Sequence, residues 1–88
     1  MPRISEFFGL SVYMYWYDTQ KHKLPHFHVR YQGAEATFDL KGNVLEGNLG
    51  PRAHGLIYEL CKERSVEIQE AWSAAINGKE LPWVLPLQ

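Results

Sequence analysis

Between Leu24 and Tyr31 the chain reads Leu-Pro-His-Phe-His-Val-Arg-Tyr, and one backbone geometry sorts these side chains cleanly. An extended strand sends successive side chains to opposite faces. Phe27, Val29 and Tyr31 then share a face that suits burial, while His26, His28 and Arg30 form a row on the other. Pro25 restricts the segment before the row to a strand start or a loop, because proline cannot donate within a sheet ladder. Two imidazoles and a guanidinium in one row are what chemistry on a phosphate, or binding of a metal ion, would call for.

The neighbouring segments read the same way. Leu10 to Tyr17 is an aromatic-rich strand with Leu10, Val12, Met14 and Trp16 on its core face and Ser11, Tyr13, Tyr15 and Tyr17 on the other. Ahead of it, Ile4 to Gly9 is a short apolar lead-in that packs Ile4, Phe7 and Phe8 on the body. Asp18 to Pro25 is a polar loop. Gln32-Gly33 supplies a turn. Glu35 to Leu40 follows as a third strand, with Ala36, Phe38 and Leu40 inward and Glu35, Thr37 and Asp39 outward. Lys41-Gly42-Asn43 turns again into a weaker strand from Val44 to Leu49. A meander with one apolar face needs a cover.

The cover lies in the C-terminal half. Pro51 suits the first turn of a helix, and Ile57, Leu60, Cys61, Ile68, Ala71, Trp72, Ala75 and Ile76 recur near helical spacing. Arg64 and Ser65 interrupt that stripe. Either one helix bends there or two helices meet with Ser65 as N-cap; the unbroken phase favours a single long or kinked helix. Asn77-Gly78 ends it. The tail from Leu81 to Gln88 is extended against the body, anchored by Trp83 or Val84. The expected fold class is therefore α+β: an antiparallel meander of about four strands, covered on one face by a long C-terminal helical segment, in a single domain spanning 1–88.

Composition narrows the function classes. At 88 residues, 45% apolar and 22% charged, the chain suits one modest core. A formal charge of −1 provides no general field for nucleic acid, so such a contact needs a local patch. The lone Cys61 cannot form an intrachain disulfide. No apolar run is long enough to cross a bilayer, and an acidic residue, Glu6, comes before any long apolar region, unlike a signal peptide. The expectation is a cytoplasmic protein with no membrane role.

Candidate functional residues gather on the polar face of the meander. His26 and His28 could exchange protons near neutral pH, and Arg30 could stabilise charge on a phosphate, which makes these three the candidate catalytic set for RNA cleavage. Tyr13 and Tyr15 are candidates for stacking on bases. A second reading is metal binding, since His-x-His on a strand points both rings one way and His22, Asp18 or Asp39 could assist. No third ligand is fixed by the spacing, so no metal ligand is assigned. In a third reading the imidazoles are structural, with His26 holding the loop that Pro25 ends and His54 a surface residue near a helix N-terminus. Phosphate-loop glycine spacing, a Ser–His–Asp signature and paired cysteines are all missing from the sequence, and no cofactor is expected.

Several motifs occur together: Ile4-Ser5-Glu6-Phe7-Phe8-Gly9, Met14-Tyr15, Pro25-His26-Phe27-His28-Val29 with Tyr31, Glu35-Ala36, Phe38-Asp39, Leu45-Glu46-Gly47, and Trp72 ahead of Asn77-Gly78. The combination resembles the small bacterial domain-of-unknown-function family 4160 over nearly the whole chain. The family pattern Asp-His-x-Pro-Pro-His is altered here, because Thr19-Gln20-Lys21 separates Asp18 from His22 and Leu24 replaces the first proline. The resemblance implies one half of a two-gene toxin–antitoxin-type module. A toxin-like role through a protein partner encoded nearby is the expectation, with RNA as a further candidate target. The alternative is a non-enzymatic interaction or regulatory module. Open edge strands and the apolar residues Trp16, Tyr17, Trp83 and Leu85 suggest a homodimer, or a complex with that partner, through an edge strand or the tail.

Overall fold

The structure is a computed structural model, and it describes residues 3–15 and 24–87. Expectations that fall on Trp16, Tyr17, Asp18 and His22 lie outside the described residues. Five strands form one sheet: β1 (Arg3–Phe7), β2 (Leu10–Tyr13), β3 (His26–Tyr31), β4 (Ala34–Asp39) and β5 (Val44–Gly47). Each pairs antiparallel with the next, so the order in space is the order in sequence. Two helices follow, α1 (Pro51–Glu63) and α2 (Ser65–Ile76). The fold is α+β.

The meander has one strand more than expected, because the apolar lead-in is itself β1. Phe7 pairs with Leu10 across a two-residue turn in which Phe8 has φ 48° and Gly9 φ 80°. Positive φ at both central positions is what the type I′ hairpin turn requires. β2 ends at Tyr13, short of the expected Tyr17, and alternation ends with it: Met14 and Tyr15 are both buried.

Val12, Phe27, Val29, Ala36 and Phe38 form the buried face of the sheet and pack with Ala53, Ile57, Leu60, Cys61, Ile68, Ala71 and Ala75 of the helices. Phe27 and Phe38 are cross-strand partners with rings stacked at 5.8 Å. Trp72 is only partly buried at the margin of this core.

The helical cover is two helices, which corrects the single bent helix. Arg64 sits between them at φ −121°, ψ 32°, away from helical geometry, and its N–H donates to the Leu60 carbonyl at 2.8 Å. Arg64 is also the N-cap of α2, so Ser65 is the first helical residue rather than the cap. The Arg64 side chain explains the break in the apolar stripe: it crosses to the tail and donates to the carbonyls of Leu85 (3.0 Å) and Pro86 (3.3 Å). α2 ends as expected. Gly78 N–H donates to Ala75 and Lys79 N–H to Ala74, the paired bonds of a Schellman end, with Gly78 at φ 65°. Of the two proposed tail anchors, Val84 is buried and Trp83 is half exposed.

Candidate functional site

β3 carries the row of polar residues, and the structure separates its members. His26 is buried, and its Nδ1–H donates to the Leu24 carbonyl at 2.9 Å. A carbonyl can only accept, so this bond fixes the neutral ring in its Nδ1–H form. The ring also lies 5.4 Å from Trp72 of α2 and 5.3 Å from His28, centroid to centroid. His26 thus ties the segment before β3 to the helical layer. Its cross-strand neighbour Asp39 turns elsewhere: Oδ1 accepts from the N–H groups of Lys41 and Asn43 at 2.9 Å, and Oδ2 from the Asn43 amide at 3.2 Å.

His28 is placed differently. It pairs with Tyr13 on β2 and Thr37 on β4, on the face turned away from the helices. Its Nδ1 is hydrogen-bonded with Thr37 Oγ1 at 3.2 Å and lies 3.9 Å from Glu35 Oε1. The Tyr15 ring packs against the imidazole at 4.9 Å. The side chain is 12% exposed, enough to meet solvent along one edge.

Arg30 lies at the outer end of the row. Its Nε is 3.9 Å from Glu35 Oε2, and its Cζ lies 5.6 Å from the centre of the Tyr13 ring. Glu35, half exposed, therefore stands within ion-pair distance of both His28 and Arg30. Alternation puts Glu35 on the outward face of its strand but gives it no role in the site. The signal for its role was the two-residue Gln32–Gly33 turn, which sets Arg30 opposite Glu35 and His28 opposite Thr37.

The two candidate stacking residues also differ. Tyr13 and Tyr15 lie parallel, with ring centres 6.5 Å apart and 3° between the ring planes. Tyr13 is partly accessible, whereas Tyr15 is 5% exposed and its ring is engaged by its neighbours rather than open to a base. A depression of about 440 Å³ runs beside Arg30, with Ser11, Tyr13 and Glu35 on its walls. Among the described residues no three His, Cys, Asp or Glu side chains converge as a metal site requires.

His54, expected at the surface, is part of the structure beneath the sheet. Its Nε2 accepts the Leu49 N–H at 2.8 Å, and its ring meets the face of Phe38 edge-on at 5.2 Å. The missing signal was Gly50, whose φ of 91° turns the chain so that the first turn of α1 can reach back to Leu49.

The fold and this row describe a small α+β domain with a polar cluster on the sheet face turned away from the helices. A family model described as a domain of unknown function (DUF4160) matches residues 9–73, and the chain belongs to that family. No curated protein and no solved structure matches it. Among the described residues no helix is long and apolar enough to cross a membrane.

Proposed function

We propose that this chain is the toxin-like component of a bacterial toxin–antitoxin-type module, acting through a partner protein and on RNA at the His28–Arg30–Glu35 cluster. The observation that carries the chemical part is the position of Glu35, whose two carboxylate oxygens each lie 3.9 Å from a neighbour, one from His28 and one from Arg30. A carboxylate beside an imidazole orients the ring for proton transfer. His28 then serves as general base. The ribose 2′-hydroxyl gives its proton to His28 and attacks the adjacent phosphorus. The 5′-oxygen leaves with a proton from solvent, and a 2′,3′-cyclic phosphate remains. Arg30 offsets charge on the phosphate oxygens during transfer, and Tyr13 offers a ring beside it.

The second reading, a non-enzymatic interaction module, draws on a different observation. Arg30 is already matched by Glu35 and Tyr13, and His26 serves the fold.

Expression with and without the neighbouring gene, combined with assay of RNA cleavage, separates the two. The enzyme reading expects growth arrest that the neighbour relieves, and loss of arrest in His28→Ala with the fold intact. Removal of a proton-transfer group costs on the order of 10²–10⁴ in rate. Full toxicity in a folded His28→Ala protein would falsify the catalytic role and leave the interaction module.

A further inference from the structure

A groove of about 870 Å³ lies at the opposite side of His26 from the cluster, between the start of β3, the β4–β5 turn and both helices. Its apolar surface comes from Leu24, Leu40, Tyr58 and Trp72, and its cations are Lys41 from the turn and Lys62 from α1. Leu24 is 60% and Tyr58 54% exposed, so large apolar side chains stand open on its banks.

The charges are not balanced within the groove. Two lysines face one carboxylate, Asp39, which points its oxygens into its own turn, so the groove keeps a net positive charge. Among the described residues neither lysine ammonium is in an ion pair. Cys61 contributes a neutral thiol, since burial and then the Asp39 charge push it up to about 12. One lip is fixed, because His26 holds the Leu24 carbonyl and packs on Trp72. An aromatic and aliphatic floor, rimmed by cations and held by a buried hydrogen bond, has the composition of a protein-binding surface.

We infer that this groove docks a segment of a partner protein in which an aromatic or aliphatic anchor is followed by carboxylates. The anchor fills the space between Tyr58 and Trp72, and the carboxylates meet Lys41 and Lys62. This surface is separate from the His28 cluster, and the probes below contain no ribose or phosphate, so its failure would leave the RNA reading untouched.

The test uses the full chain and three fluorescein-labelled peptides read by anisotropy: Gly-Leu-Trp-Glu-Asp-Gly, Gly-Leu-Trp-Lys-Lys-Gly and Gly-Ser-Ser-Glu-Asp-Gly. The first should bind saturably, and the other two roughly tenfold more weakly, the scale that a few screened charge pairs or one lost anchor supplies. Tyr58→Ser should weaken the first peptide, which locates binding in this groove. The double variant Lys41→Glu, Lys62→Glu changes only exposed side chains and should invert the order, favouring the basic peptide. The single variants Lys41→Ala and Lys62→Ala should each weaken the acidic peptide with the melting temperature unchanged. Equal binding of all three peptides, lack of saturable binding by the first, or an unaltered order in the charge-reversed protein overturns the inference.

Discussion

The backbone N–H of Val84 donates to the carbonyl of Ile4 at 2.7 Å, so the C-terminal tail lies along the outer edge of the first strand. A sheet edge left open pairs readily with another chain. Here the tail occupies part of the β1 edge, and the exposed β5, with Val44 and Leu45 open, is the other edge. An association through β5 would leave the tail in place, whereas use of β1 would first require the tail to leave.

Two contacts hold that tail, and they predict different losses. Val84 is 1% exposed, so Val84→Ala should cost about 1.5–3 kcal/mol in a denaturant titration, two buried methyl groups at about 0.8 kcal/mol each plus the cavity they leave. Arg64→Ala loses the bonds to the Leu85 and Pro86 carbonyls, which water can replace, and should cost about 1 kcal/mol. Limited proteolysis should find the tail cut sooner in both variants, and more so in Val84→Ala.

Aromatic truncations in the body should rank by burial. Phe38 is completely buried and stacks on Phe27, so Phe38→Ala should cost about 3–5 kcal/mol, enough to unfold a domain of this size. Trp72 is only partly buried, and Trp72→Ala should fall below that range while still lowering the melting temperature. An equal loss in the two variants would mean that Trp72 carries more of the core than its exposure indicates.

Two glycine-to-alanine changes should have opposite signs. Gly42 has φ 89°, and a Cβ there would lie 2.9 Å from the Cα of Tyr58, in the backbone of α1. Gly42→Ala must push the β4–β5 turn off the helix as well as strain the backbone, and should destabilise by more than about 1–2 kcal/mol, the left-handed penalty alone. Gly55 is exposed within α1, and a methyl group added there would meet nothing within 4 Å. Gly55→Ala should stabilise the protein by about 0.5–1 kcal/mol in the same titration.

The sequence made the interior strands legible because burial on one face enforces strict alternation, as at Phe27, Val29, Ala36 and Phe38. The first strand was hidden by its turn. Phe8 occupies a position where asparagine, aspartate or glycine usually signals the hairpin, and an aromatic residue there reads as part of an apolar run. Arg64 broke the helical pattern for a reason that lies twenty-odd residues further along, in the carbonyls of the tail. Of the site, alternation placed His28 and Arg30 correctly opposite Phe27 and Val29. It could not show that His26, at the end of the same row, packs on Trp72, because contact with a helix depends on how the layers stack.

Cys61 should make stability fall at alkaline pH. Burial, then the charge of Asp39, raise its pKa from 9.0 to about 12 in the folded chain. Between those values the unfolded chain loses the thiol proton and the folded chain keeps it, so the unfolded state binds fewer protons and stability declines as pH rises. One proton contributes a slope of up to about 1.4 kcal/mol per pH unit. Cys61→Ala should be less stable near neutrality, through its cavity, yet show a flatter decline above pH 9.

The two β3 histidines should separate cleanly when each is changed to alanine. His26→Ala strands the Leu24 carbonyl and opens a gap under Trp72, so it should cost about 1–3 kcal/mol and loosen the lip of the groove. Any activity it loses should track the folded fraction, and lower temperature should restore it. His28→Ala removes the hydrogen bond to Thr37 and a ring packed against Tyr15, a loss of about 1–3 kcal/mol. If His28 is the general base, that variant loses growth arrest and RNA cleavage at every temperature where it is folded. Glu35→Gln should then share the defect in milder form, because it keeps the shape but not the charge facing His28 and Arg30. Circular dichroism melts and cleavage assays on the same preparations decide between these outcomes. A folded, inactive His26→Ala beside an active His28→Ala would reverse the assignment of the two rings.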